Sequence, residues 1–238
     1  MNAQLIIEEA KRKSRSLLTE IESKALVSGV GIPVIETKLA TSRKEAVVIS
    51  KKLGFPVALK IVSPDITHKS DIGGVKLALN TLGQVEVAYD EIISSVNQRY
   101  PKAIIDGVSV QKMAHPGTEV IVGMIKDAQF GPVLMFGLGG ILVELLKDVS
   151  FRIVPLEQED AQGMIREIKG YRLLKGYRGS EPVNIPILEE ILLKVSRLVD
   201  ENPEIKELDL NPIFAYNDGA ATVDARVILE ESSTPDIK

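Results

Sequence analysis

What most narrows the folds open to this chain is a change of rhythm part-way along its 238 residues. Residues 5–28 carry apolar positions at helical spacing (Leu17, Leu18, Ile21, Ala25, Leu26), and Gly29 follows as a stop. A short strand over 32–39 comes next, then a helix from the S-x-x-E capping box 42–45 to about Gly54. The run 56–62 (PVALKIV) reads as an apolar strand and 75–79 as another, before a helical stretch over 84–99. From about residue 108 strand-like runs follow one another: 108–113, 119–125, 132–136, 141–145 and 151–155. A helix opens after the acidic cluster 157–160, an amphipathic helix covers 187–199, and strands over 205–214 and 221–227 join at the turn Asn217-Asp218-Gly219. Alternation followed by antiparallel runs predicts an α+β (α/β) chain of two parts that divide near residues 105–110.

Composition excludes several classes of function. There is no cysteine, so disulfides, thiolate nucleophiles and thiolate metal sites are out. A net charge of -4 and 4% aromatic residues offer neither the basic face nor the stacking platforms of a nucleic-acid binder. No run of about 18 apolar residues marks a membrane span, and the N-terminal residues lack the apolar core of a signal peptide. The expectation is a soluble, cytoplasmic protein with no nucleic-acid or membrane partner.

Three constellations could carry chemistry. Lys60 lies inside an apolar strand, where its ammonium needs a partner; it either snorkels off the outer face or meets a phosphate. The stretch ITHKSDIGGV (66–75) follows it. Gly73 and Gly74 allow a tight turn and close approach of backbone to ligand, and loop N–H groups can cradle phosphate. His68 is either an exposed loop histidine or a nucleophile, since neutral imidazole is available near pH 7. The second constellation is the glycine-rich run 137–140 (GLGG), which precedes Glu144, Lys147, Asp148 and Arg152. It matches neither a dinucleotide fingerprint nor a P-loop, and Arg152 could hold phosphate or be a strand-edge charge. The third joins Asp209 and Asn211, alternate residues of one strand, to Asp224 of the next. Two carboxylates and an amide on one face would suit Mg²⁺, or would be a solvated polar face.

In this order these segments resemble an ATP-grasp nucleotide-binding unit. They resemble more closely the beta subunit of the ADP-forming (NDP-forming) acetyl-CoA synthetases of archaea. The likeness rests on 58–75 (ALKIVSPDITHKSDIGGV), on Gly137 to Gly140 through Val149 to Arg152, and on Glu207 to Pro212, and it covers nearly the whole chain. The succinyl-CoA synthetase beta chain is similar at greater distance and continues into a further domain; this chain looks like the ATP-grasp portion alone. The resemblance implies an ATP-grasp fold of two subdomains with the nucleotide in the cleft between them. Its parts would be an N-terminal helix (1–28), a small subdomain with a mobile histidine loop (29–107), a large subdomain with the Mg-nucleotide site (108–230) and a tail (231–238).

The implied reaction is acyl-CoA + ADP + phosphate giving acid + ATP + CoA, reversibly, with CoA and acyl chemistry on an alpha subunit in an α2β2 assembly. A phosphohistidine on that subunit would pass its phosphoryl group through His68 to ADP, with Gly73 and Gly74 giving the loop mobility. Lys60 and Arg152 would contact phosphates. Gln111, Lys112 and Met113 would line the adenine pocket, with Glu119 near the ribose and Glu144 in the same cleft. Mg²⁺ would be held by Asn211 and Asp224, with Asp209 nearby. Two other functions fit the same residues: a stand-alone ATP-grasp ligase that forms an acyl phosphate, and a non-catalytic nucleotide-binding regulatory subunit.

Overall fold

A computed structural model describes residues 3–66, 69–140, 147–179 and 181–231. The expected strand over 141–145, His68 and Glu144 lie outside them. The chain divides into two compact units: Thr19–Ile21 with Ile35–His115, and Met1–Leu18, Glu22–Val34 and Pro116–Lys238.

The smaller unit is a four-stranded antiparallel sheet with two helices on one face. Its strands are β1 (Thr37–Ala40), β2 (Val57–Val62), β3 (Val75–Leu79) and β4 (Gly107–Lys112), in the order β1-β4-β2-β3. Helices α3 (Arg43–Leu53) and α4 (Leu82–Arg99) cover the sheet. Ala46, Leu53, Val85, Ala88, Ile92 and Val96 pack there with Val57, Leu59, Ile61, Val108 and Val110. These strand residues alternate, so one sheet face is spent on the helices. The Ser42 hydroxyl caps α3 by accepting from Glu45 N–H at 3.2 Å. Glu45 reaches back to Thr41 N–H at 2.8 Å rather than to the cap residue itself, a capping box displaced by one residue.

The larger unit has a six-stranded sheet built from β5 (Thr118–Asp127), β6 (Gly131–Leu138), β7 (Val149–Ile153), β8 (Ile205–Ala215), β9 (Ala220–Thr222) and β10 (Ala225–Leu229). The order is β10-β8-β5-β6-β7, and β9 also pairs with β8. Helices α5 (Gln158–Glu167), α6 (Tyr171–Leu174) and α7 (Ile185–Glu201) accompany the sheet. Met164, Ile165, Leu188, Ile191, Leu192 and Val195 share one core with Met124, Leu134, Phe136 and Leu208. Among the described residues, no helix is long and apolar enough to cross a membrane.

Several elements differ from the sequence reading. The single helix over 5–28 is two, α1 (Ala3–Arg12) and α2 (Glu20–Gly29). Ser14 has φ 53, and Leu18 N–H bonds Val227 carbonyl at 3.0 Å, so an extended link borders β10 where helix was expected. The strand over 32–39 shortens to β1, and 221–227 breaks into β9 and β10 around Val223 and Asp224. The units divide after His115, beyond β4, rather than before it. β4 stays with the smaller unit because it pairs with both β1 and β2.

Candidate functional site

In the smaller unit, the face of the sheet opposite the helices is polar and buried. Lys60 of β2 pairs in register with Ser109 of β4, and Ala58 with Gln111. Lys60, Ser109 and Gln111 are 8%, 0% and 2% exposed, so the lysine does not snorkel to water. Its Nζ donates to Glu20 Oε1 at 2.9 Å. Lys69 Nζ donates to the other carboxylate oxygen, Oε2, at 3.3 Å. Glu20, the first residue of α2, is thereby clasped by two cations, one from a strand and one from the residue after His68. Removing one partner from a buried ion pair strands the other charge and costs about 3–5 kcal/mol. Sequence reading placed Glu20 in an ordinary helix and missed it, because its partner lies 40 residues away in the chain.

The glycine pair is held, not loose. Gly73 has φ +72 and ends a 3₁₀ turn over Ser70–Ile72. Gly74 N–H bonds Lys69 carbonyl at 2.8 Å, and Gly74 carbonyl accepts from Ile61 N–H at 2.7 Å. A β-carbon on Gly74 would meet Ile61 Cγ2 at 2.7 Å and Lys69 O at 2.8 Å. Close packing thus accounts for the second glycine and backbone conformation for the first. Ile66 and Ile72 are buried in the smaller unit's core, and Ser95 Oγ of α4 donates to Ile72 carbonyl at 2.6 Å. At the end of β4, Lys112 is exposed. Met113 N–H bonds Pro56 carbonyl at 3.0 Å, and its sulfur accepts from Ala78 N–H at 3.0 Å.

In the larger unit, register assigns the candidates to faces. Asp209 of β8 pairs with Gly123 and with Arg226, Gly123 pairs with Met135, and Met135 with Phe151. That row lies opposite the helices. Glu119 and Gly123 alternate to this same face of β5, and Glu119 is partly buried. Gly139 N–H bonds Glu119 carbonyl at 2.7 Å. A β-carbon on Gly139 would stand 3.0 Å from Glu119 Cβ, and one on Gly140 would stand 3.0 Å from Glu119 Oε2. The last two glycines of the GLGG run thus leave room for the Glu119 side chain.

Arg152 belongs to the other face. It pairs with Leu134, Leu134 with Met124, and Met124 with Leu208, all three in the core under the helices. Its guanidinium bonds both carboxylate oxygens of Glu167 on α5, with Asp160 near, and this pairing raises its pKa and lowers that of Glu167. Arg152, expected to contact phosphates, thus stands on the helix-covered face of its sheet and is paired with Glu167.

The third constellation is assembled by a β-bulge. Val120 pairs with Ile213 and Val122 with Leu210, so Asn211 and Pro212 together stand against Ile121. The bulge accommodates a proline inside a central strand. On the other side, Asn211 N–H meets Asp224 carbonyl at 3.3 Å. Burial raises the Asp209 pKa first; Arg226 opposes this and the Asp224 charge adds to it. No group of three or more His, Cys, Asp or Glu poised for a metal occurs among the described residues. Two carboxylates and an amide are nevertheless a fitting donor set for Mg²⁺, which takes one or two protein carboxylates and completes its octahedron with water and phosphate.

A family model described as an ATP-grasp domain matches residues 9–229. The chain is 53% identical over 227 residues to the acetate–CoA ligase [ADP-forming] I subunit beta of Pyrococcus furiosus, covering 95% of this chain and 97% of that one. It is 49% identical over 210 residues to the acetate–CoA ligase [ADP-forming] I of Archaeoglobus fulgidus, covering 88% of this chain and 30% of that one. A solved structure of the Ca. Korarchaeum cryptofilum dinucleotide forming acetyl-coenzyme A synthetase 1 superposes with a TM-score of 0.85 at 47% identity, covering 96% of this chain and 100% of that one. That structure is in complex with coenzyme A and Mg-AMPPCP, its phosphohistidine segment pointing towards the nucleotide binding site.

Proposed function

Because the chain belongs to the ATP-grasp family and, within it, to the beta subunits of ADP-forming acetate–CoA ligases, we propose that it is the nucleotide-handling half of such an enzyme. The reaction is acyl-CoA + ADP + phosphate giving acid + ATP + CoA, run in either direction. CoA binding and acyl chemistry fall to an alpha subunit, in an assembly of two alpha and two beta chains, and the cytoplasm supplies the nucleotide and CoA. The observation that carries this reading is identity of 53% along 97% of a named beta subunit. The Archaeoglobus relative, of which this chain matches 30%, leaves room in one polypeptide for the partner's part.

Phosphoryl transfer asks for charge neutralisation and in-line positioning more than for covalent help. Lys60 supplies a fixed ammonium from a buried strand for the nucleotide phosphates. Gln111, Lys112 and Met113 would line the adenine pocket, Glu119 would lie near the ribose, and Gly73 and Gly74 would present loop backbone to the phosphates. His68, with Glu144 the other proposed residue outside those described, takes the phosphoryl group from the alpha subunit's phosphohistidine. Its neutral imidazole nitrogen attacks phosphorus as the first P–N bond breaks. A β-phosphate oxygen of ADP then attacks, the second P–N bond breaks and ATP forms. Asn211 and Asp224, with Asp209 beside them, would hold Mg²⁺, which when bound offsets the charge on the phosphate oxygens.

Acyl-CoA-dependent ATP formation by the purified chain, alone and with its alpha subunit, tests the reading. Turnover only with the partner supports it. Turnover by the chain alone would make it a stand-alone ligase forming an acyl phosphate, and nucleotide binding without turnover in either state would make it a regulatory subunit.

A further inference from the structure

Glu20 is 5% exposed, and its carboxylate takes one lysine on each oxygen. Resting on the reading that Lys60 serves the phosphates, we propose that Glu20 is a positioning residue for phosphoryl transfer: it fixes the Lys60 and Lys69 ammonium groups relative to one another.

Three observations point the same way. Lys60 sits in the middle of β2, whose six residues are all buried, so its backbone is fixed. Four methylenes separate that backbone from the charge, and rotamer freedom would otherwise scatter it. The 2.9 Å bond to Glu20 Oε1 removes that freedom. Lys69 follows His68 directly, and its 3.3 Å bond to Glu20 Oε2 ties the residue after the proposed phosphoryl carrier to the same carboxylate that orients Lys60. The charges finally sum to one net positive charge over the three side chains. Two ammonium groups held by one carboxylate retain attraction for phosphate while their mutual repulsion is offset. Without the carboxylate, the two cations gain attraction for a bound nucleotide but lose their relative geometry.

This arrangement makes a prediction that a merely structural ion pair does not. In the enzyme assembled with its alpha subunit, Glu20→Gln should lower kcat by about tenfold or more, as displacement of a positioned group does, while the KM for ADP stays unchanged or falls. Glu20→Asp, which keeps the charge on a shorter arm, should restore part of kcat. The decisive comparison is a double-mutant cycle. If Glu20 works through Lys60, Glu20→Gln added to Lys60→Met should cost no further kcat, and that double variant also removes the buried lysine whose Glu20 carboxylate is lost in Glu20→Gln, so it guards against loss of folding. Multiplicative losses in the cycle, or a rise in KM at constant kcat for Glu20→Gln, would overturn the proposal. Full activity of Lys60→Met would instead overturn the assignment of Lys60 to phosphate, which separates the two failures.

Discussion

One added methyl group should act with opposite signs at two glycines of the smaller unit. At Gly74 a β-carbon would stand 2.7 Å from Ile61 Cγ2 and 2.8 Å from the backbone oxygen of Lys69. Carbon atoms in good contact stay about 3.5–4.0 Å apart, so something must shift by close to an ångström. Ile61 is buried in the core under α3 and α4, and Lys69 O is engaged by Gly74 N–H itself. Neither yields freely, and the cost is that of overpacking, about 1–3 kcal/mol. At Gly83, in the first turn of α4, nothing lies within 4 Å of the same atom. There the methyl only narrows the unfolded ensemble, a gain of about 0.4–1 kcal/mol. For a chain of this size each kcal/mol moves Tm by about 2–4 °C. Calorimetry should therefore show Gly74→Ala melting earlier by about 2–12 °C and Gly83→Ala melting later by about 1–4 °C. Equal, small shifts at both sites would refute the claim that Gly74 is there for close packing, and would return the pair to the role of loose hinge.

Arg152→Ala should leave kcat and the nucleotide KM of the assembled enzyme within about twofold and show its effect in Tm, since Arg152 is bound to Glu167 on the helical side of its sheet; a loss of activity like that of a phosphate-binding residue would reverse the face assignment. Asp209 gives a pH-dependent expectation. Its folded-state pKa is raised, chiefly by burial, so its contribution favours the fold at acid pH and is lost as pH rises through that value. Without metal, Asp209→Asn should then melt higher than the unmodified chain at neutral pH, with the gap closing as pH falls below the ordinary carboxylate range. The same variant should bind Mg-nucleotide more weakly by titration calorimetry; unchanged binding would remove Asp209 from the metal site.

Local signals carried the sequence reading a long way. The strand 75–79 has the observed bounds of β3, and the turn at Asn217 joins β8 to β9 as its composition requires. The helix α3 begins at the hydroxyl cap Ser42, as its capping box indicates. What stayed hidden depends on pairings between distant segments. The 5–28 helix is interrupted because Leu18 bonds Val227, more than two hundred residues on. Arg152 has the same local neighbourhood whichever face it takes; only the register of β7 on β6 decides. The bulge at Asn211 and Pro212 is set by the pairing of β8 with β5. Glu20 shows nothing beyond a helical pattern until β2 brings Lys60 against it.

As proposed, His68 carries the phosphoryl group between the alpha subunit and the nucleotide. The direct measurement is transfer of γ-phosphate label from Mg-ATP to the purified chain, with and without an alpha subunit, for the unmodified chain and for His68→Ala. The expected result is an acid-labile, base-stable label on this chain that disappears with His68→Ala. An unlabelled chain in the presence of the partner, with nucleotide binding intact, would contradict it.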